Sequence, residues 1–401
     1  MKTRRHALIG IAVCIGLNML DGFDVLAMSF AASGVKADWH LLDSQLGALL
    51  SAGLVGMGLG SLLLSPCADR WGRRPVIILS LMLATSGMLG SAAARGYIDL
   101  LVLRVLTGIG IGGTIASVAV IVCEYAPERW RGAALAAYAT GYSIGATIGG
   151  AFAAYAIPLY GWRSAFAIGG TLSLLILPFG WLWLPESRDF NLARRPSAVG
   201  RGSIRGSIAP LMNASTMLVW VVFFCTMAAF YFIVSWTPRL LNAAGLSARQ
   251  GLTGGVLLNL GGIAGCGLFA YAALRIGVRR LLLGALLASA VLIAGFGGAV
   301  TRLDIALWTA LLLGVIANAA MAGLYAFGPP LYPTAVRATG MGWAIGIGRF
   351  GAILAPLASG LLLDHGWAPA QLYFLFSVPF LVAAVALLLI RSEGGICRIS
   401  Q

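Results

Sequence analysis

The chain has 401 residues, of which 60% are hydrophobic and only 10% are charged, and its mean hydropathy is +0.92. Soluble domains carry about 25% charged residues, so this composition excludes an ordinary soluble protein and predicts a protein of the lipid bilayer. The net charge of +14 does not indicate nucleic-acid binding, because the basic residues are not clustered on a soluble domain with an aromatic or motif pattern.

The first apolar run follows Lys2, Arg4 and Arg5 and contains two aspartates. The run is about 25 residues long, whereas signal peptides have apolar cores of roughly 7–15 residues, so it predicts a retained first helix. The six cysteines show no paired spacing. We therefore expect no disulfide, no metal site and no cofactor.

Spanning the hydrocarbon of a bilayer takes about 20 apolar residues per helix. This rule predicts an all-α membrane protein with twelve transmembrane helices, at residues 8–32, 44–65, 75–94, 99–122, 133–155, 162–184, 214–236, 249–272, 281–300, 304–327, 338–363 and 367–390.

Most of the 27 Lys and Arg residues lie in the tails and in the loops on one side of the predicted helices. The opposite side holds only Lys36, Arg95, Arg163, Arg239, Arg249 and Arg302. Because basic loops stay in the cytoplasm, this imbalance predicts a multi-pass protein of the plasma (inner) membrane with both termini cytoplasmic.

A stretch rich in Arg, Ser and Gly, residues 185–213, divides the chain into two six-helix halves, 1–184 and 214–401. The halves resemble each other at an offset of about 205, since residues 70–74 (Arg-Trp-Gly-Arg-Arg) match residues 275–280. Two repeated halves of six helices are typical of a transporter whose site lies at the repeat interface near the midplane.

Asp21 and Asp24 are the only ionisable side chains between Ala7 and Ala32. A carboxylate at bilayer depth costs about 2.5–3.5 kcal/mol even on lenient scales, so it faces a bundle interior or a wet cavity. The spacing puts both acids on nearly one face of a helix, roughly 60° apart. We predict that at least one carries protons; the alternative is a buried ion pair that holds helices together.

The two halves differ in charge, because the region of helix 7 that matches the acids is aromatic, and Arg349 in helix 11 stands where helix 5 has Ser143. Arg349 and Asp21 both lie near the midpoints of their helices. An arginine grips a carboxylate through two parallel hydrogen bonds and stays charged. Arg349 is therefore either the docking cation for an anionic substrate or a permanent salt-bridge partner of Asp21 or Asp24.

Aromatic residues near this level offer partners for a substrate ring, although such residues in membrane helices also serve packing or interface anchoring. The candidates are Phe230, Tyr231, Trp236, Tyr325, Trp343 and Phe350. Of these we select Tyr325 and Phe350, together with Asn318 as a polar contact near Tyr325.

Residues 69–74 (Asp-Arg-Trp-Gly-Arg-Arg) resemble the signature loop of the major facilitator superfamily, and residues 104–113 resemble its helix-4 signature. Within that superfamily, Asp-Gly-x-Asp at residues 21–24 is similar to the hallmark of the aromatic acid:proton symporters. Residues 123–127 and 346–351 agree with the same family.

This resemblance implies a two-bundle fold, a role for Arg104 in proton coupling, and a gate at the cytoplasmic face. For Arg104, the alternative is a side chain that extends to the outer interface. The gating candidates are Asp69, Arg70, Gly72, Arg73, Arg74, Glu124 and Arg131. Asp69 would cap the start of helix 11, although Glu124 also fits an ordinary interface charge.

Together these features predict a monomeric, proton-coupled symporter that imports a small aromatic carboxylate. The alternatives are a transporter of another organic anion or metabolite, an exporter, and a membrane sensor. An enzyme is not expected, because His6, His40 and His365 lie at tails or outer loops and no nucleophile is paired with a base.

Overall fold

The structure, a computed structural model, describes residues 2–127, 130–187, 214–299, 303–332 and 337–390. Its twelve long helices are α1 Lys2–Trp39, α2 Asp43–Trp71, α3 Arg73–Ala93, α4 Tyr97–Tyr125, α5 Arg131–Tyr160, α6 Arg163–Trp183, α7 Ala214–Ala243, α8 Ala248–Ile276, α9 Val278–Ala299, α10 Leu303–Phe327, α11 Arg337–Asp364 and α12 Pro369–Leu389. Each contains a stretch long and apolar enough to cross a membrane. The predicted all-α, twelve-helix architecture is confirmed.

Most helices are longer than their predicted apolar cores. The first runs to Trp39 rather than residue 32, and the seventh to Ala243 rather than residue 236. Hydropathy measures only the part of a helix that lies in hydrocarbon, whereas the backbone continues until a turn residue breaks it. Helix length therefore depends on the turns.

Three turns repeat between the halves at a spacing of 205 residues. Residues with positive φ occur at His40, Gly72 and Gly161, and again at Gly245, Gly277 and Gly366. Glycine tolerates this backbone region without steric penalty, which explains five of the six. The offset of about 205 residues between the halves, predicted from the sequence, is thus 205 residues at each of these three turns.

The same register governs how the helices pack. In each half, glycines let the second and fourth helices approach so closely that an added Cβ would lie 2.0–2.2 Å from a carbonyl oxygen of the partner helix. The matched glycine and carbonyl pairs are Gly56 with Val105 and Gly261 with Leu311, Gly60 with Ile109 and Gly265 with Val315, and Gly108 with Gly53 and Gly314 with Leu258. The second and fourth helices therefore pack against each other in the same way in both halves.

The predicted halves and linker, 1–184, 185–213 and 214–401, stay a prediction in their boundaries. Residues 188–213 lie outside the described part of the chain.

The close contact at Gly265 predicts a stability difference within α8. Gly265→Ala would place a Cβ 2.0 Å from the carbonyl oxygen of Val315, whereas nothing lies within 4 Å of a Cβ at Gly267. Overpacking costs about 1–3 kcal/mol. We expect Gly265→Ala to lower the apparent melting temperature in detergent and Gly267→Ala to leave it unchanged. Equal melting temperatures would show that α8 and α10 can separate freely.

Candidate functional site

Helix α1 holds Asp21 and Asp24 at positions that are 4% and 1% exposed. Its contact with α5 fixes them there. A Cβ at Gly22 would lie 2.0 Å from the carbonyl oxygen of Tyr142, and one at Gly145 would lie 1.8 Å from that of Met19. The glycine between the two acids thus lets α1 and α5 touch backbone to backbone.

Arg104 lies beside Asp24 and is 2% exposed. Its Nη2 donates a hydrogen bond to the main-chain oxygen of Asp24 at 3.0 Å, its Nη1 lies 3.5 Å from the sulfur of Met88, and its guanidinium carbon is 5.6 Å from the ring centre of Phe166. The side chain therefore does not extend to the interface, and that alternative is excluded. Among the described residues, Arg104 forms no ion pair with either acid within 4.0 Å.

Three buried polar atoms in this cluster have no hydrogen-bond partner among the described residues: Oδ2 of Asp21, Oδ1 of Asp24 and Nε of Arg104. A buried charge is expensive unless it is paired and fully hydrogen-bonded. Such surroundings suit a carboxyl group that exchanges a proton better than one that remains in a permanent ion pair.

Arg349 approaches this cluster from the other half of the chain. It is half-buried, and its Nη1 lies 3.9 Å from the sulfur of Met57 in α2. No carboxylate of the described residues forms an ion pair with it. The predicted permanent salt bridge with Asp21 or Asp24 is therefore not present in this conformation.

Two tyrosines on different helices lie within electrostatic range of Arg349. Its guanidinium lies within electrostatic range of the hydroxyls of Tyr142 in α5 and Tyr325 in α10, and both hydroxyls are also in range of Tyr231 in α7. Tyr142 is in range of Asp21 as well. Tyr325 packs edge to face on Phe223, with ring centres 6.0 Å apart. Tyr142 thus links Arg349 and Asp21 electrostatically.

Sequence reasoning did not select Tyr142. The available signal was its position next to Ser143, the repeat counterpart of Arg349, in a helix otherwise rich in glycine and alanine. Trp236, in contrast, has a structural role, because it is fully buried and its indole donates to the carbonyl oxygen of Pro356 at 3.2 Å.

Phe350, one of the predicted substrate contacts, lies on an exposed face of α11. Phe350 is 64% exposed and shares a stripe of α11 with Trp343, Leu354 and Leu361, which is exposed along the whole helix. Consecutive residues of a helix point about 100° apart, so the Phe350 side chain leaves α11 in a different direction from that of Arg349. Trp343 on this stripe packs against Trp220 of α7, with ring centres 6.1 Å apart, and the selection of Phe350 as a substrate contact stays a prediction.

Asn318 packs between helices. Its amide nitrogen donates to the carbonyl oxygen of Gly314 in its own helix at 3.0 Å, and the amide fills the space above Gly262 of α8. The amide thus contributes to the contact between α8 and α10, and nothing in its placement supports a substrate contact.

The predicted gating loop is tied to its own half of the molecule. Gly72 makes the turn with φ 102°, and Glu186 accepts hydrogen bonds from the backbone nitrogens of Arg73 and Arg74 at 2.8 and 3.3 Å. Arg74 donates to the carbonyl oxygen of Trp181 at the end of α6. These contacts join α3 and α6 within the first bundle.

The structure describes the side chains of only some of the other gating candidates. The carboxylate of Glu124 accepts a hydrogen bond from the hydroxyl of Ser187 at 2.9 Å, and Arg70 is exposed. The side chains of Asp69 and Arg131 lie outside the described part of the structure. Glu186 was missed by sequence reasoning, although an acid directly after a helix, next to a loop of arginines, was a readable signal.

Among the described residues, polar contacts between the two halves occur at the end of the molecule that holds the turn between α1 and α2. The hydroxyl of Ser29 in α1 donates to the carbonyl oxygen of Ser235 in α7 at 2.6 Å, and that of Ser51 in α2 donates to the carbonyl oxygen of Ile353 in α11 at 2.7 Å. We call this the closed end.

Asp364 completes the closed end. It is the last residue of α11, and its two carboxylate oxygens accept hydrogen bonds from the backbone nitrogens of Asp43 and Ser44 at 2.8 and 2.9 Å. These nitrogens belong to the first turn of α2, where a helix has unpaired donors and partial positive charge. One half of the molecule thus caps a helix of the other.

Two repeated six-helix bundles, with buried acids in one half and a half-buried arginine in a membrane-spanning helix of the other, define a membrane protein of the secondary-transporter class. Residues 11–328 match the family model of the Major Facilitator Superfamily. The chain belongs to this superfamily.

Comparisons with individual proteins agree. The chain is 31% identical to the gallate transporter of Pseudomonas putida, covering 94% of this chain and 90% of that protein. It is 30% identical to the 4-hydroxybenzoate transporter PcaK of the same organism, over 94% of this chain and 91% of the relative. The partially occluded, inward-open xylose transporter XylE of E. coli has the same fold, with a TM-score of 0.81 at 16% identity over 98% of this chain and all of that one.

The cap made by Asp364 predicts a shift in conformation when it is removed. Asp364→Ala deletes both acceptors, and losing an exposed helix cap costs about 0.5–1 kcal/mol, or a two- to fivefold change in the population of the closed end. Spin labels at the exposed positions Leu42 and His365, in a background without native cysteines, would report this as a larger fraction of long distances.

Asp99→Ala is the matched control. Asp99 lies at the same end and accepts from the backbone nitrogen of Arg95 within the first half only. A distance distribution that Asp364→Ala leaves unchanged, or that Asp99→Ala changes equally, would contradict the interpretation.

Proposed function

We propose that this protein is a proton-coupled symporter that imports a small aromatic carboxylate, such as a benzoate or hydroxybenzoate, by alternating access. The observation that carries the proposal is that Asp21 and Asp24 are buried in the first bundle and that Tyr142 of this bundle is in electrostatic range of both Asp21 and Arg349 of the second bundle. The curated relatives support the substrate class, since they are named for transport of gallate and 4-hydroxybenzoate.

Arg349 supplies the anion-binding group. Its planar guanidinium offers two parallel donors to a carboxylate, and in this conformation no protein carboxylate among the described residues occupies them. Tyr325 and Tyr142, from opposite halves of the molecule, are within its electrostatic range. Their rings suit an aromatic substrate, and their hydroxyls suit polar substituents on it.

Asp21 and Asp24 supply the proton-binding groups. Arg104 is bonded to the backbone of Asp24 rather than to its carboxylate, so it holds a positive charge nearby while leaving one carboxylate oxygen available for a proton. Tyr142, in range of both Asp21 and Arg349, provides a short electrostatic route by which substrate and proton binding influence each other.

The distribution of Lys and Arg in the loops supports a plasma-membrane orientation with both termini in the cytoplasm. In that orientation the closed end faces outward, and the conformation described above is the one from which substrate and proton leave for the cytoplasm. Opening the closed end requires breaking the contacts of Ser29, Ser51 and Asp364 with the second bundle.

Proteoliposomes test this function directly. With the outside more acidic by one pH unit, coupling to one proton supports about tenfold accumulation of labelled 4-hydroxybenzoate or benzoate. Protein-free liposomes correct for diffusion of the protonated acid, and a protonophore should abolish the gradient-driven part. Failure across a panel of aromatic acids, with uptake of a different organic anion, would overturn the substrate class.

Asp24→Asn serves as the coupling control in the same experiment. It keeps the size of the side chain and removes the proton site, so accumulation should be lost while exchange of labelled for unlabelled substrate persists. Unchanged accumulation would remove Asp24 from the proton path.

Arg349→Lys predicts a loss of substrate affinity. The lysine keeps the charge and loses the paired donors, so we expect the KM for uptake to rise about tenfold, a change of roughly 1.4 kcal/mol. Arg275→Lys is the matched control, because Arg275 is exposed at the end of α8, where its guanidinium lies over Tyr271. An unchanged KM in Arg349→Lys would assign Arg349 to helix packing.

A further inference from the structure

Helix α6 touches the carboxylate of Asp24 directly. A Cβ built on Gly169 would lie 2.9 Å from Oδ1 of Asp24 and 2.4 Å from Cε of Met88. Both distances are shorter than a real Cβ contact, so a side chain at this position would require Met88 or Asp24 to move. The position of the Asp24 carboxyl is thus set by α6 as well as by α1 and Arg104.

Ser173 lies one helical turn beyond Gly169, on the same face of α6. Its side chain is fully buried and lies beside the Asp24 carboxyl. Neither the hydroxyl of Ser173 nor Oδ1 of Asp24 has a hydrogen-bond partner within 3.5 Å among the described residues. Oδ1 of Asp24 and the Ser173 hydroxyl are therefore two buried polar atoms that lie near each other and lack a described partner.

We propose that Ser173 is a positioning residue of the proton site, with its hydroxyl as the hydrogen-bond partner of Asp24 in both protonation states. This inference rests on the proposed proton-coupled function. With Asp24 ionised, the Ser173 O–H donates to Oδ1; with Asp24 protonated, the carboxyl O–H donates to the Ser173 oxygen. The switch needs only rotation of one hydroxyl, and the proton stays on Asp24.

The other groups around Asp24 cannot serve both states. Arg104 of α4 donates only, Asp21 of α1 is itself acidic, and Met88 of α3 with Phe166 of α6 contributes apolar contacts. On α5, Tyr138 and Tyr142 are in range of Asp21 instead. Among the described residues, Ser173 is the neutral hydroxyl at the Asp24 carboxyl.

The experiment measures gradient-driven uptake of labelled 4-hydroxybenzoate in proteoliposomes as a function of external pH. Ser173→Ala removes one oxygen and adds no bulk. A hydrogen bond to a charged group is roughly twice as strong as one between neutral groups, so the change penalises ionised Asp24 more. We expect the half-maximal pH of uptake to move upward by about 0.5–1 unit, with substrate exchange retained.

Two further variants separate positioning from packing. Ser173→Thr keeps the hydroxyl and should keep the wild-type pH profile. Ser80→Ala removes another fully buried serine hydroxyl without a described partner, on α3 against Gly113 of α4, and should leave the profile unchanged. Each variant is also checked for monodispersity and for exchange activity.

A pH profile that Ser173→Ala leaves in place overturns the proposal, and so does an equal shift in Ser80→Ala or Ser173→Thr. Wild-type protein that accumulates no anion under a proton gradient overturns the proposed function, and with it this inference. Wild-type accumulation with an unmoved Ser173→Ala profile overturns the role of Ser173 alone.

Discussion

The contact between α1 and α5 determines where the chemistry of this protein takes place. Gly22 and Gly145 each meet a carbonyl oxygen of the opposite helix, so the backbones of α1 and α5 touch. This contact fixes the two helices against sliding along each other. Asp21 and Asp24 flank this contact and are buried by it. Because a carboxyl at this depth is tolerated only in a well-defined polar setting, Arg104, Gly169 and the other neighbours are organised around α1.

The second half has the same packing contacts between its helices but different charged residues. Gly351 of α11 meets the carbonyl oxygen of Phe224 in α7 as Gly145 meets that of Met19 in α1. In this register Asp21 and Asp24 correspond to Thr226 and Ala229, and Ser143 corresponds to Arg349. The duplicated bundles thus agree in their packing glycines and differ in their charges, which puts acids on one side of the interface and a cation on the other.

Patterns within one helix were readable from the sequence. Apolar length gave the twelve helices, and the repeat gave the two halves. Contacts between helices that are distant in the sequence could not be predicted from it. The placement of Ser173 against Asp24 and of Tyr142 within electrostatic range of Arg349 requires knowing which helices are neighbours and how each is rotated.

The cap of α2 by Asp364 has a mechanical consequence. Helices α2 and α11 pack antiparallel, and each has an aspartate near its C-terminal end: Asp364 on α11 and Asp69 on α2. The first bonds to the start of α2, and the family resemblance assigns the second to the start of α11. A pair of helices that rocks about its middle can close only one of these caps at a time. Alternating access then exchanges one cap for the other at opposite ends of the helix pair. The difference in strength between the two caps contributes to the free-energy difference between the two conformations.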